Sequence, residues 1–118
     1  LLACIIDWEA NSESYEGKLA VANVVLNRVR SSAYPNSISG VIYQRSQFSG
    51  VSDGAGSPSA KFQSRINSGL RSQACMDAAV EALSGHNNIG GYTSFRMISA
   101  ANISSMSSYV IIGNHVFH

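Results

Sequence analysis

The stretch SYEGKLAVANVVLNRVR, running from Ser14 to Arg30, decides the fold. From Leu19 to Val29 nearly every position is apolar, so the apolar residues wrap the whole circumference of a helix instead of one stripe. A helix of that kind is central and packed on several sides. Ser14 offers an N-cap oxygen and Glu16 a negative charge in the first turn, while Arg28 and Arg30 complement the dipole at the far end. Ser31, Ser32, Tyr34 and Pro35 end it.

Working outward, Leu2, Ile5, Ile6 and Glu9 share one face at helical spacing, which predicts a short helix over 2–10 with a break at Asn11-Ser12. Downstream, Ser37 or Ser39 opens a third short helix containing Ile38, Val41 and Ile42. Residues 44–59 are rich in Gly, Ser and Pro and read as a loop, functional or mobile. One further helix is expected to carry Phe62, Ile66 and Leu70. Another runs from Gln73 to Leu83, with Ala74, Ala78 and Ala82 in line and Ser84-Gly85 as its stop. After Gly90-Gly91 the text turns β-rich. Tyr92 to Phe95 and Tyr109 to Ile112 read as strands around a loop over 99–108, and Gly113-Asn114 turns the chain into a last strand, His115 to Phe117. Helices first and short strands last make an α+β fold, mainly helical with a short C-terminal antiparallel element, in a single domain spanning 1–118.

Composition narrows the function. Hydrophobic residues make up 45% of the 118 residues, enough for a core, but charged ones only 13%, about half the usual share. Ser (21), Gly (10) and Asn (9) are abundant, so the polar surface consists of hydroxyls and amides and suits a neutral, hydroxyl-rich ligand. With a net charge of +1 and no two basic residues adjacent, phosphate-driven nucleic-acid binding is disfavoured. No apolar run approaches the ~20 residues of a membrane span. The opening Leu1 to Ile6 is too short for a signal peptide and meets Asp7 and Glu9 at once; a chain that opens on Leu reads as an excised segment whose targeting information lies elsewhere. Cys4 and Cys75 stand alone without a C-x-x-C, which predicts two buried free thiols, a single bridge being the alternative.

Few residues can do acid–base chemistry. Asp77 and Glu81 lie one turn apart and read as a solvated helix face, and Glu16 suits a helix N-terminus. Glu9 differs. It follows Trp8 and shares the Ile5–Ile6 face, so it is expected to be partly buried, and burial raises a carboxyl pKa toward the range a general acid needs. Structural burial of Glu9 is an equal reading of the pattern alone.

The run from Trp8 to Gly17, followed by Ala20 to Val29, resembles the opening of the spore cortex-lytic enzyme family of bacterial cell wall hydrolases. The resemblance continues through Tyr34 to Ile38, Gly40 to Gln44, Gln47 to Ser49 and Ala78 to Gly85, and closes on Ile112 to Phe117. Residues 57–72 depart from it, and Asn11-Ser12 stands where the family reads Arg-Gly. The resemblance implies a small lysozyme-like domain without a cofactor, lying outside the cytoplasm at the cell wall or spore cortex. It implies a lytic transglycosylase that cleaves peptidoglycan glycan strands, with Glu9 as acid and base and 1,6-anhydromuramic products. Many members carry a separate peptidoglycan-binding module. Around Glu9, Ser49 is expected to contact the acid or the substrate, or else to stabilise its turn. Phe48 closes the cleft, Gln44 and Gln47 are candidate amide donors, Tyr92 and Phe95 candidate sugar platforms, and His115 a further pocket residue. Two alternatives stand beside this: a catalytically silent wall-binding module, and a zinc amidase using His86, His115 and Glu9. The latter lacks any H-x-x-E or H-E-x-x-H pattern.

Overall fold

The computed structural model describes residues 1–118 and is built around the expected central helix, α2 (Tyr15–Arg30). Every residue from Gly17 to Arg28 is buried, because two separate cores use opposite sides of this helix. Leu19, Ala22, Val25 and Leu26 pack with α1 (Leu2–Ala10), α3 (Ile38–Ile42) and α5 (Gln73–Leu83). Ala20, Val21 and Val24 pack instead with Ile89 and Phe117. Service to both cores explains why the sequence is apolar all round. The Ser14 hydroxyl accepts from Gly17 N at 3.3 Å and starts the helix where the sequence predicts.

The remaining helix, α4 (Ala60–Asn67), is shorter than the Phe62–Ile66–Leu70 spacing predicts. Ser68 caps it and Gly69 leaves at φ +79°, so Leu70 lies beyond its end. Arg71 N, just past that exit, donates to the buried Asp7 carboxylate of α1 at 3.1 Å, and Arg71 Nη2 donates to the Asp7 carbonyl at 2.5 Å. That pair fastens the α4–α5 connection to α1.

Three short strands form an antiparallel sheet in the order β1-β3-β2: β1 (Phe95–Met97), β2 (Val110–Ile112) and β3 (His115–Phe117). Phe117 pairs with both Phe95 and Val110, and His115 with both Met97 and Ile112. The first strand starts three residues later than the expected Tyr92. Asn27 Nδ2 donates to the carbonyls of Gly90 and Tyr92, both at 2.8 Å, and Arg28 Nε donates to the Thr93 carbonyl at 2.7 Å. These carbonyls serve α2 side chains instead of a ladder. The loop over 99–108 contains two single 3₁₀ turns, Ile98–Ala100 and Ile103–Ser105. Both cysteines are free thiols, Cys75 buried and Cys4 only partly so.

Candidate active site

Glu9 sits in the last turn of α1, one residue before the helix ends at Ala10. Its neighbours Ile5 and Ile6 are fully buried, and Trp8 turns its indole edge onto Phe62 with ring centroids 5.3 Å apart. Trp8 Nε1 donates to the Ser49 carbonyl at 3.1 Å, which ties the loop after α3 across the end of α1. Gly50, at φ +76°, keeps that loop close: a Cβ there would meet the indole at 3.3 Å. No protein donor bonds to the Glu9 carboxyl. Burial alone pushes its pKa up from 4.5 to about 7, because water that would stabilise the anion is excluded.

The cleft holding Glu9 has a volume of about 290 Å³ and is lined also by Arg28, Gln47, Phe48, Ser49, Phe95, Arg96, Met97 and His115. Glu9 is its only carboxylate. Phe95 stands between Phe48 and His115, with centroids at 6.3 and 5.1 Å, so the aromatic wall joins the loop to the sheet. Two larger hollows flank the cleft. One, about 780 Å³, lies along the 45–55 loop and shares Gln47, Phe48 and Ser49 with it; the other, about 590 Å³, shares Arg96. Both are lined mostly by polar residues, several of them hydroxyl-bearing.

Five of the expected residues thus line one cleft with Glu9: Gln47, Phe48, Ser49, Phe95 and His115. Two do not. Tyr92 faces the 590 Å³ hollow, where its hydroxyl bonds to Ser108, because its carbonyl is held on α2 by Asn27. Gln44 lies outside the lining; its Oε1 is buried without a partner. The fixed contact of Ser49 is its carbonyl, accepting from Trp8, and its hydroxyl makes no bond to Glu9. Asp53 borders the loop hollow, where Oδ1 accepts from Ala55 N at 2.7 Å and Ser57 N at 3.1 Å. Asp53 is therefore engaged in its own turn.

His115 is buried, with Nδ1 3.8 Å from Glu13 Oε1 and no hydrogen-bond partner on that nitrogen. Burial holds its pKa below the usual histidine value against the pull of Glu13, so the ring is neutral near pH 7. Glu13 belongs to the support of the site, a role that the residue pattern alone did not reveal. Its carboxylate accepts from Asn114 N at 2.9 Å and Asn114 Nδ2 at 3.0 Å, and thereby clamps the β2–β3 turn to the α1–α2 connection. Burial opposes its charge, but the two Asn114 bonds, with the Lys18 charge and that of His115 once protonated, hold its carboxyl below the usual range. Lys18 Nζ in turn donates to the carbonyls of Asn11 at 2.8 Å and Glu13 at 2.6 Å, closing the connection where the family motif departs.

Arg28, Arg96 and Met97 also escaped sequence reading. Arg28 was legible as an anomaly, a cation set inside the apolar run of α2, but its place near the helix end suggested only a dipole role. Arg96 and Met97 lie on a strand of three residues, too short for alternation to speak. Asp77 lies on an exposed face as expected, and Glu81, a third exposed, also accepts from Tyr15 Oη at 2.7 Å and bonds to His86. His86 is thereby engaged away from the Glu9 cleft, so the ligand set of the amidase alternative is not assembled. No three His, Cys, Asp or Glu side chains anywhere come together to hold a metal ion.

Known proteins share the sequence family and the fold. A family model described as Cell Wall Hydrolase matches residues 12–118. The spore cortex-lytic enzyme of Halalkalibacterium halodurans is 32% identical over 120 aligned residues, covering 99% of this chain and 33% of that protein. That of Bacillus subtilis is 48% identical over 54 residues, 46% of this chain and 18% of its own length. The chain thus spans a third or less of these relatives. Among solved structures, the catalytic domain of the Bacillus cereus SleB protein superposes with a TM-score of 0.79 at 28% identity, covering 99% of this chain and 85% of that one. The catalytic domain of the germination-specific lytic transglycosylase SleB from Bacillus anthracis gives 0.76 at 28% identity, covering 98% and 88%.

Proposed function

The chain belongs to the cell wall hydrolase family, and from that premise we propose that it cleaves peptidoglycan glycan strands as a lytic transglycosylase, with Glu9 as sole acid and base. The observation that carries this reading is a lone carboxyl in the cleft, poised at about 7 by burial. Glycosidases that use water normally need two carboxylates, one to protonate the glycosidic oxygen and one to activate water or attack carbon. A transglycosylase needs one. Protonated Glu9 gives its proton to the leaving oxygen as the C1–O bond breaks. The resulting carboxylate takes the proton of the same sugar's 6-hydroxyl, whose oxygen closes on C1 as a 1,6-anhydro ring. Glu9 ends as it began, protonated, and no water is consumed. A carboxyl near the working pH serves both half-steps.

Gln47, Ser49 and His115 supply hydrogen-bonding groups to the sugars, and Phe48 and Phe95 supply apolar wall. The flanking hollows accommodate the strand on either side of the cleaved bond. Residues 1–118 act as the catalytic domain of an enzyme working outside the cytoplasm on cortex or vegetative wall, with a peptidoglycan-binding module elsewhere in the protein. Similarity to SleB, described as germination-specific, favours spore cortex as the substrate.

The test is Glu9→Gln, with products from purified cortex read by mass spectrometry. The amide keeps the shape and removes the transferable proton, so activity should fall about 100-fold or more. Wild-type ends should be 1,6-anhydromuramic acid, lighter by one water than reducing ends. Reducing ends, or a folded variant with a tenth of the activity, would refute the single-carboxyl mechanism. Binding of glycan without any product would instead support a silent wall-binding module.

A further inference from the structure

Arg28 is the one buried arginine of the chain, 5% exposed, and it lines the Glu9 cleft. Its guanidinium is stacked on two rings, 5.0 Å from the Tyr34 centroid and 5.3 Å from that of Phe48. Nε donates to the Thr93 carbonyl at 2.7 Å. The terminal nitrogens find no acceptor in the protein, Nη1 being buried without one, and no carboxylate lies within ion-pair distance. Burial disfavours the charge, as expected for a cation without a counter-ion. An apolar side chain of similar length would fill the same space without leaving orphaned donors.

We propose that Arg28 recognises the substrate by donating from its terminal nitrogens to an acyl oxygen on the sugar beside Glu9. That oxygen is either the carbonyl of an acetamido group or the carbonyl of a lactyl ether, which is a carboxylate in a peptide-free strand. The inference rests on the reading of the ligand as a peptidoglycan strand. A guanidinium only donates, so its partner must accept, and its planar fork fits a planar acyl group better than a sugar hydroxyl. The Tyr34 and Phe48 rings and the Thr93 carbonyl fix the guanidinium in the wall of the Glu9 cleft.

Binding is measured with Glu9→Gln protein, which retains the cleft without turnover. The probes are a tetrasaccharide of alternating N-acetylglucosamine and N-acetylmuramic acid, its N-deacetylated form, and an N-acetylglucosamine tetramer lacking lactyl groups. Adding Arg28→Lys keeps the charge but loses the fork, and should weaken binding of the first probe about 10-fold or more. If the acetamido group is the partner, the loss disappears on the deacetylated probe and persists on the tetramer. If the lactyl carboxylate is the partner, the pattern reverses. With Glu9 intact, Arg28→Lys should raise KM about 10-fold while kcat changes less than about threefold. Equal affinity for all three probes with and without the Arg28→Lys change overturns the inference and leaves the glycan reading standing. Failure of the Glu9→Gln protein, with Arg28 in place, to bind any probe overturns both. Should Arg28→Lys not fold, nitrogen NMR of the Arg28 guanidinium decides: the terminal nitrogens shift on saturation with the first tetrasaccharide, and unmoved resonances overturn the inference.

Discussion

A carboxyl kept at about 7 by burial must destabilise the protein wherever it is charged, and Glu9→Gln exposes that cost. In the unfolded chain Glu9 titrates near 4.5, and in the folded protein near 7. Between those values the folded state holds a proton that the unfolded state has lost, so the Glu9 contribution to stability falls as pH rises. Below 4.5 Glu9 is neutral in both states and contributes nothing through its charge. Above about 7 it is charged in both, and the penalty is complete. At ~1.4 kcal/mol per pH unit the interval amounts to about 3 kcal/mol. Glutamine carries no such term. The variant and the wild type should therefore match near pH 4.5, diverge through about pH 6, and differ by about 3 kcal/mol at about pH 8, with the variant the more stable. For a domain of this size that is a difference in Tm of roughly 10 °C. Thermal melts of both proteins from about pH 4 to about pH 9 make the test. Parallel curves would show that the Glu9 carboxyl is not desolvated, and the mechanism would lose its poised acid.

Three further outcomes follow from the geometry. Asn27→Ala leaves the Tyr92 carbonyl without its side-chain donor and the Gly90 carbonyl with that of Asn87 alone, and should cost about 2 kcal/mol in urea unfolding. Gly113→Ala forces a side chain onto φ +60° and brings Cβ to 2.6 Å from Glu13 Oε1, so it should lower the Tm by several degrees and reduce activity through the displaced His115; unchanged melting would refute the clamp. Asp53→Asn alters only a turn at the loop edge and should retain at least about half the activity of wild type on cortex, with anhydro ends unchanged; a loss near that of Glu9→Gln would make Asp53 a second catalytic carboxyl.

The helical half was legible because its signals are local. The predicted ranges 2–10 and Gln73 to Leu83 are those observed, and the caps at Ser14 and Ser37 are made by the residues themselves. The sheet was legible only in outline, since the start of β1 depends on Asn27 and Arg28, more than 60 residues upstream, withdrawing carbonyls from pairing. Glu9 stood out because its apolar neighbours adjoin it in sequence. Glu13 and Arg28 did not, because what gives them meaning is contact with residues far along the chain. Tyr92 and Gln44 lie outside the Glu9 cleft for the same reason: residue type says what a side chain can bind but not which hollow it faces.

The two-sided burial of α2 also governs where this protein can change. From Gly17 to Arg28 every position is buried, in one core or the other or in the polar contacts of Lys18, Asn23, Asn27 and Arg28, so substitutions there disturb packing or those contacts. Variation must collect where neither core reaches, in the 45–57 loop apart from its core residues Phe48 and Val51, and in the 98–109 segment. These are the stretches that border the two ends of the groove. On the proposed function, related enzymes can thus diverge in the length and decoration of strand they accept while Glu9 stays on α1, packed against α2, and engineered changes of substrate range belong in those two loops.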